Sequence, residues 1–157
     1  MIPTLNGRIQ TRIFLILFIG IPWTLIITPF LPNVRDLGGD QASLLDAYKT
    51  TFSVLGVVLV LGVLFWELVY HFLQQFRWEK DWPVMFTFFE VINEGILAYV
   101  VFKALDLDTK FPLGGLTLPS AFWWHFITTW MVMWLFVLGP IKVLFIRWRF
   151  SGGRIFF

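Results

Sequence analysis

The chain contains no cysteine. That absence excludes disulfide scaffolds, thiolate metal sites, cysteine nucleophiles and thiol–disulfide exchange together. Charge is scarce as well: 14% of the 157 residues are Asp, Glu, Lys or Arg, against about 25% in an average soluble domain. The net charge of +2 is too small to build the positive field that draws in nucleic acid, so no nucleic acid partner is expected. Two histidines cannot supply the four axial ligands of a two-haem membrane cytochrome. No P-loop, rhomboid-type nucleophile or H-E-x-x-H occurs, so no motif requires a cofactor or marks an enzyme. Asn6, Asn33 and Asn93 are not followed by the residues of an N-glycosylation sequon, which is in keeping with a bacterial chain.

What the sequence has in excess is oil. It is 58% hydrophobic and 20% aromatic, with a mean hydropathy of +0.77. A soluble protein of this composition could not cover its surface, so an integral membrane protein is expected. Nine Trp and nineteen Phe suit apolar packing and membrane interfaces. Four apolar stretches reach the about 20 residues that a bilayer crossing needs: 13–31, 50–74, 83–104 and 119–139. The expected fold class is all-α: a polytopic four-transmembrane-helix bundle forming a single membrane domain over 1–157, with a short interfacial C-terminal helix in a cytoplasmic tail, 140–157. Helices are the default because four isolated spans cannot close a β-barrel. Span one follows Arg8 and Arg12 as a signal peptide would. Its apolar run exceeds an h-region and no A-x-A site follows, so it reads as a retained helix, kinked at Pro22. Asp40 is expected to cap a helix running into span two, and Asp81 with Pro83 to open span three.

The connections carry the orientation. One side holds Arg8, Arg12, Arg77, Lys80, Lys142, Arg147, Arg149 and Arg154; the other holds Arg35, Lys49, Lys103 and Lys110. Basic residues concentrate on the cytoplasmic side, so both termini are expected there, in a bacterial cytoplasmic membrane. The segment 75–82 forms a short turn, which makes spans two and three antiparallel neighbours.

Glu67, Glu90 and Glu94 are embedded in this apolar background, with Asn93 and His71 beside them. A charge at membrane depth costs at least about 2.5–3.5 kcal/mol, so such groups face the bundle and mark structure or function. Glu67 and His71 are spaced i,i+4, as are Glu90 and Glu94, so each pair shares a helix face. Reflecting spans two and three about their turn sets Glu67 between Glu90 and Glu94. Glu67, His71, Glu90, Asn93 and Glu94 are therefore expected to form one cluster in the inner half of the membrane. Three close carboxylates cannot all be ionised without a cation among them. They share protons, pair with Arg12 or Arg77, or bind a metal. The pattern differs from the E-x-x-H of di-metal bundles, and the identity of any metal stays open. The set reads as a structural clasp or as a proton or cation site.

His125 lies within "FWWHFITTW", at a depth roughly 10 Å or more from His71, so one haem clamped between them is not expected. His125 with Trp123, Trp124 and Trp130 is a candidate contact for a single haem, a quinone or a pigment. The alternative is an interface histidine bonded to a neighbouring carbonyl, Thr128 or Thr129, among aromatics that simply pack. Arg77, Trp78, Lys80 and Trp82 in the turn, and Lys142, Arg147 and Arg149 in the tail, form candidate docking surfaces for lipid headgroups or a partner.

Three functional classes follow. The first is a subunit or accessory factor of a larger membrane assembly, in contact with lipid and with other membrane subunits or copies of itself. The second is a proton- or cation-handling transporter or channel using the Glu/His cluster. The third is a haem, quinone or pigment binder.

Overall fold

A computed structural model describes residues 4–32, 41–76, 84–107 and 119–155, and every regular element among them is helical. Helix α1, Leu5–Leu15, starts where the Thr4 hydroxyl accepts from the Gly7 amide at 3.1 Å, satisfying one of the donors that a helix start leaves unpaired. A π-helical turn, Ile16–Gly20, leads into α2, Ile21–Ile27, and a 3-10 turn, Thr28–Phe30, ends the run. Pro22 stands just after the π turn. Its missing N–H and its ring disturb the preceding turn, and the widened π turn takes up that disturbance.

Helix α3, Gln41–Leu61, continues through a second π turn, Gly62–Trp66, into α4, Glu67–Gln75. Helix α5 spans Val84–Ala104 and α6 spans Pro119–Leu138. Three helical runs are long and apolar enough to cross a membrane: Leu5–Phe30, Leu44–Gln75 and Ser120–Leu144. The first of them begins earlier than its hydropathy suggests. Helix α1 starts at Leu5 rather than at 13, which places Arg8 and Arg12 inside a helix instead of in front of one. The expected caps at Asp40 and Asp81, and the turn bearing Arg77, Trp78, Lys80 and Trp82, lie outside the described residues.

The main core joins α3, α5 and α6 through Val54, Val58, Ala98, Phe102, Phe122 and Phe126. Val54 packs in the layer of Phe102 while Glu67 approaches Glu94, so α3–α4 and α5 run antiparallel. Gly95 admits the rings of Trp123 and Phe126, which a Cβ would meet at 2.7 Å. The aromatic run of α6 is mostly packing. Trp123 lies among Tyr99, Phe122 and Phe126, Trp130 stacks on Trp134 with centroids 5.9 Å apart, and Trp124 is exposed.

The tail departs from a single interfacial helix. Gly139 and Pro140 break α6, and two five-residue helices follow, α7 Pro140–Leu144 and α8 Ile146–Phe150, separated at Phe145. The chain then turns at Gly152 and Gly153, both at positive φ, a conformation that glycine adopts without strain. This turn closes on α1. Gly152 O accepts from the Thr4 amide at 2.9 Å, Thr11 Oγ1 donates to Gly153 O at 3.0 Å, and Trp148 Nε1 donates to Thr11 Oγ1 at 2.8 Å. A Cβ at Gly7 would lie 2.1 Å from Gly152 O, so the backbones meet only because position 7 is glycine. Phe14, Ile141 and Ile155 bury the seam.

Candidate functional site

Arg12 is the centre of the polar site. Its Nε donates to Glu67 Oε1 at 2.6 Å, and its Nη1 and Nη2 donate to the two oxygens of Glu94 at 2.9 and 2.6 Å. The planar fork matches the Glu94 carboxylate with two bonds, a geometry that only arginine offers. Glu67 and Glu94 are both buried. Helix α1 supplies the cation, the start of α4 one anion and the middle of α5 the other, so three separate segments meet at one side chain.

Arg8, one turn before Arg12, extends the network. Its Nη2 donates to Gln74 Oε1 at 2.8 Å, and its Nη1 stands 3.7 Å from Glu67 Oε2. Arginines at positions 8 and 12 share a helix face and meet Glu67 and Gln74 of α4, which lie two turns apart. Gly62 makes the crossing possible. A Cβ there would fall 2.5 Å from Arg12 Cδ and 2.7 Å from Nη1, so the arginine stem lies in the notch of a missing side chain. The π turn that begins at Gly62 then delivers Glu67 to the guanidinium.

The expected five-residue cluster is thus only partly assembled. Glu67 and Glu94 meet through Arg12. Glu90 is half-buried, and its Oε1 is buried without a hydrogen-bond partner among the described residues. His71 is half-buried, with Nδ1 in the same condition, and no hydrogen bond joins it to the arginines. Asn93 is exposed: one residue before Glu94, it is turned by about 100° around the helix. Among the described residues, no three His, Asp or Glu side chains converge as metal ligands. Arg8, Gln74 and Gly62 are the site residues that sequence reasoning did not assign. The i,i+4 spacing of the two arginines was the available signal for Arg8.

A second buried polar layer lies further along the same first run. His125 is 1% exposed, and its Nε2 lies 3.1 Å from Thr24 Oγ1. This partner comes from α2, not from the adjacent carbonyls, Thr128 or Thr129. Thr28 Oγ1 donates to Thr24 O at 2.6 Å and lies 3.0 Å from Thr51 Oγ1. Thr24, Thr28, Thr50 and Thr51 are fully buried. The cavity beside His125 has a volume of about 10 Å³ and is lined by Val54, Leu55, Val58, Phe126, Thr129, Trp130 and Met133. Pockets for cofactors run to about 300–1,000 Å³, so this cavity is far smaller than a cofactor pocket.

Of the docking residues, Lys142 and Arg147 are exposed on α7 and α8 beside exposed Val143, Leu144 and Ile146. The Arg149 side chain is outside the described residues. No protein family, curated protein or solved structure matches this chain.

Proposed function

We propose that this chain is a four-span integral membrane protein and serves as a subunit or accessory factor of a larger membrane assembly. Helix α5 is the additional span, since its 21 residues reach about 30 Å, the thickness of the hydrocarbon core. The observation that carries the reading is the Arg12 fork. Together with Arg8 it neutralises Glu67 and Glu94 within the chain, so these carboxylates hold helices together instead of waiting for a ligand. What stays open is the outside, because less than a third of each apolar run is buried within the chain. Purification in mild detergent followed by mass spectrometry tests this: a non-identical membrane partner at fixed stoichiometry is expected. Recovery of this chain alone, with no partner retained, overturns the assignment.

The four spans form one membrane domain with both termini on the cytoplasmic side. The meeting of Thr4 with Gly152 supports a shared side, and the positive-inside bias selects the cytoplasm. The exposed Lys142 and Arg147 then face the anionic leaflet, at about 1 kcal/mol each. Cysteines introduced at Ser151 and at Gly114 should label oppositely with an impermeant thiol reagent in intact cells. Equal labelling rejects the topology.

A second reading, proton or cation handling, is favoured by Glu90. Arg8 and Arg12 are matched by Glu67 and Glu94, and Glu90 is left with an unpartnered buried oxygen. In this reading Glu90→Gln leaves folding intact and abolishes flux in proteoliposomes. In the subunit reading the same variant keeps both its fold and its partner.

A further inference from the structure

Asn93 is the inward-facing expectation that the structure reverses, and its position is chemically unusual. It is the tenth of the 21 residues of α5, so it sits near the middle of the span. It is exposed, and it makes no hydrogen bond among the described residues. Phe89, Ile92, Ile96 and Val100 surround it on the same face, each about half exposed. The exposed faces of the other runs are apolar away from their ends: Leu17, Phe18 and Leu25 on the first, Val60, Leu64 and Leu68 on the second, Ile127, Met131 and Leu135 on α6. Partly exposed Thr128 in the middle of α6 donates to Trp124 O at 2.7 Å, whereas among the described residues Asn93 is the one exposed polar side chain in the middle of such a face without a hydrogen bond. Lipid tails offer it neither donor nor acceptor.

We infer that the α5 face centred on Asn93 is the interface with a second copy of this chain, in which the two Asn93 carboxamides hydrogen-bond to each other. A carboxamide is self-complementary, carrying both an acceptor oxygen and donor N–H groups. Two copies inserted with the same topology bring Asn93 to the same depth automatically, about an axis normal to the membrane. Any other partner would need its own polar group at that depth. Interhelical polar pairs of this kind associate membrane helices in a hydrocarbon medium. The flanking Ile92 and Ile96 supply side-chain packing on either side of the amide pair, as an isologous interface requires. The inference rests on the membrane-span reading of α5 and is independent of an accessory role.

The absence of native cysteine makes the test direct. Single variants Ile96→Cys, on this face, and Leu64→Cys, on the exposed face of the second run, are oxidised with copper phenanthroline in native membranes. Ile96→Cys should give a disulfide-linked dimer of twice the chain mass, and Leu64→Cys should not. Adding Asn93→Leu to Ile96→Cys should weaken association by roughly 3- to 10-fold, in line with measured interhelical hydrogen bonds, whereas Asn93→Gln should retain it. The inference is overturned by failure of Ile96→Cys to cross-link, by equal cross-linking through Leu64→Cys, by insensitivity to Asn93→Leu, or by an adduct with a different protein. Retention of the chain in carbonate-washed membranes is scored separately. Its loss would defeat the membrane reading itself, and its persistence without the dimer would defeat only this interface.

Discussion

The first helical run carries two buried polar layers, and they are built on opposite principles. Arg12 lies in an ionic layer. Thr24, about 18 Å further along at 1.5 Å per residue, lies in a layer of hydroxyls and one imidazole. In the ionic layer each group depends on the others: among the described residues, Arg12 donates to Glu67 and Glu94 alone, and both acids are buried. In the hydroxyl layer the threonines also bond carbonyls of their own helices, Thr28 to Thr24 and Thr51 to Ala47 and Tyr48. A helical threonine always has such a carbonyl within reach. An ion that loses its partner inside the bundle has no local substitute. The ionic layer is therefore specific and fragile, and the hydroxyl layer is adaptable and tolerant.

The sharpest break of this contrast is Arg12→Leu. It strands the buried Glu94 and leaves Glu67 only the 3.7 Å contact of Arg8, and it should destabilise the protein by about 3–5 kcal/mol, read from unfolding titrations in mixed micelles. Adding Glu67→Leu and Glu94→Leu should recover much of that loss, since apolar replacement of buried ion partners is often neutral or stabilising and Arg8 keeps its bond to Gln74. If the triple variant is as unstable as the single one, shape and not charge dominates the layer.

Gly62→Val comes next. Its side chain enters the space of the Arg12 stem, and overpacking of this kind costs about 1–3 kcal/mol. In an Arg12→Leu background the cost should shrink, because the two positions are coupled. Strictly additive effects in the double-mutant cycle would mean that the notch does not serve Arg12.

On the other side of the comparison, Thr24→Val removes the partner of His125 Nε2. The cost should be about 1–2 kcal/mol, that of one unsatisfied neutral group. Thr51→Val should be the mildest, about 0.5 kcal/mol, since Thr28 keeps its bond to Thr24 O. Equal losses for Thr51→Val and Arg12→Leu, measured under the same micelle conditions, would erase the distinction between the layers.

The helical class and the apolar runs were legible because hydrophobicity acts residue by residue and needs no knowledge of neighbours. That Glu67 and Glu94 share one level of the bundle, with Arg12 as one of their possible partners, was legible for the same reason: position along a helix translates into height. Rotation about the helix axis was not. Helices α3, α5 and α6 are apolar nearly all round, so no amphipathic stripe reports which of their faces turns inward. For this reason Asn93 was assigned to the interior beside Glu94, although the two lie about 100° apart.

The tail and Gly62 escaped for a related reason. Gly139 and Pro140 signal a break in α6, but the return of residues 151–155 onto α1 depends on contacts across almost the whole chain, Thr4 with Gly152 and Gln10 with Ile155. A glycine in an apolar helix looks like any small residue until an arginine from another helix crosses it. The sequence by itself determined the long apolar runs, the helical state and the need to neutralise its embedded carboxylates, because those follow from the transfer energies of individual side chains. Which cations neutralise Glu67 and Glu94, which histidine nitrogen meets a threonine and which amide faces outward were decided by tertiary structure alone, because each depends on the relative rotation and approach of helices far apart in the chain.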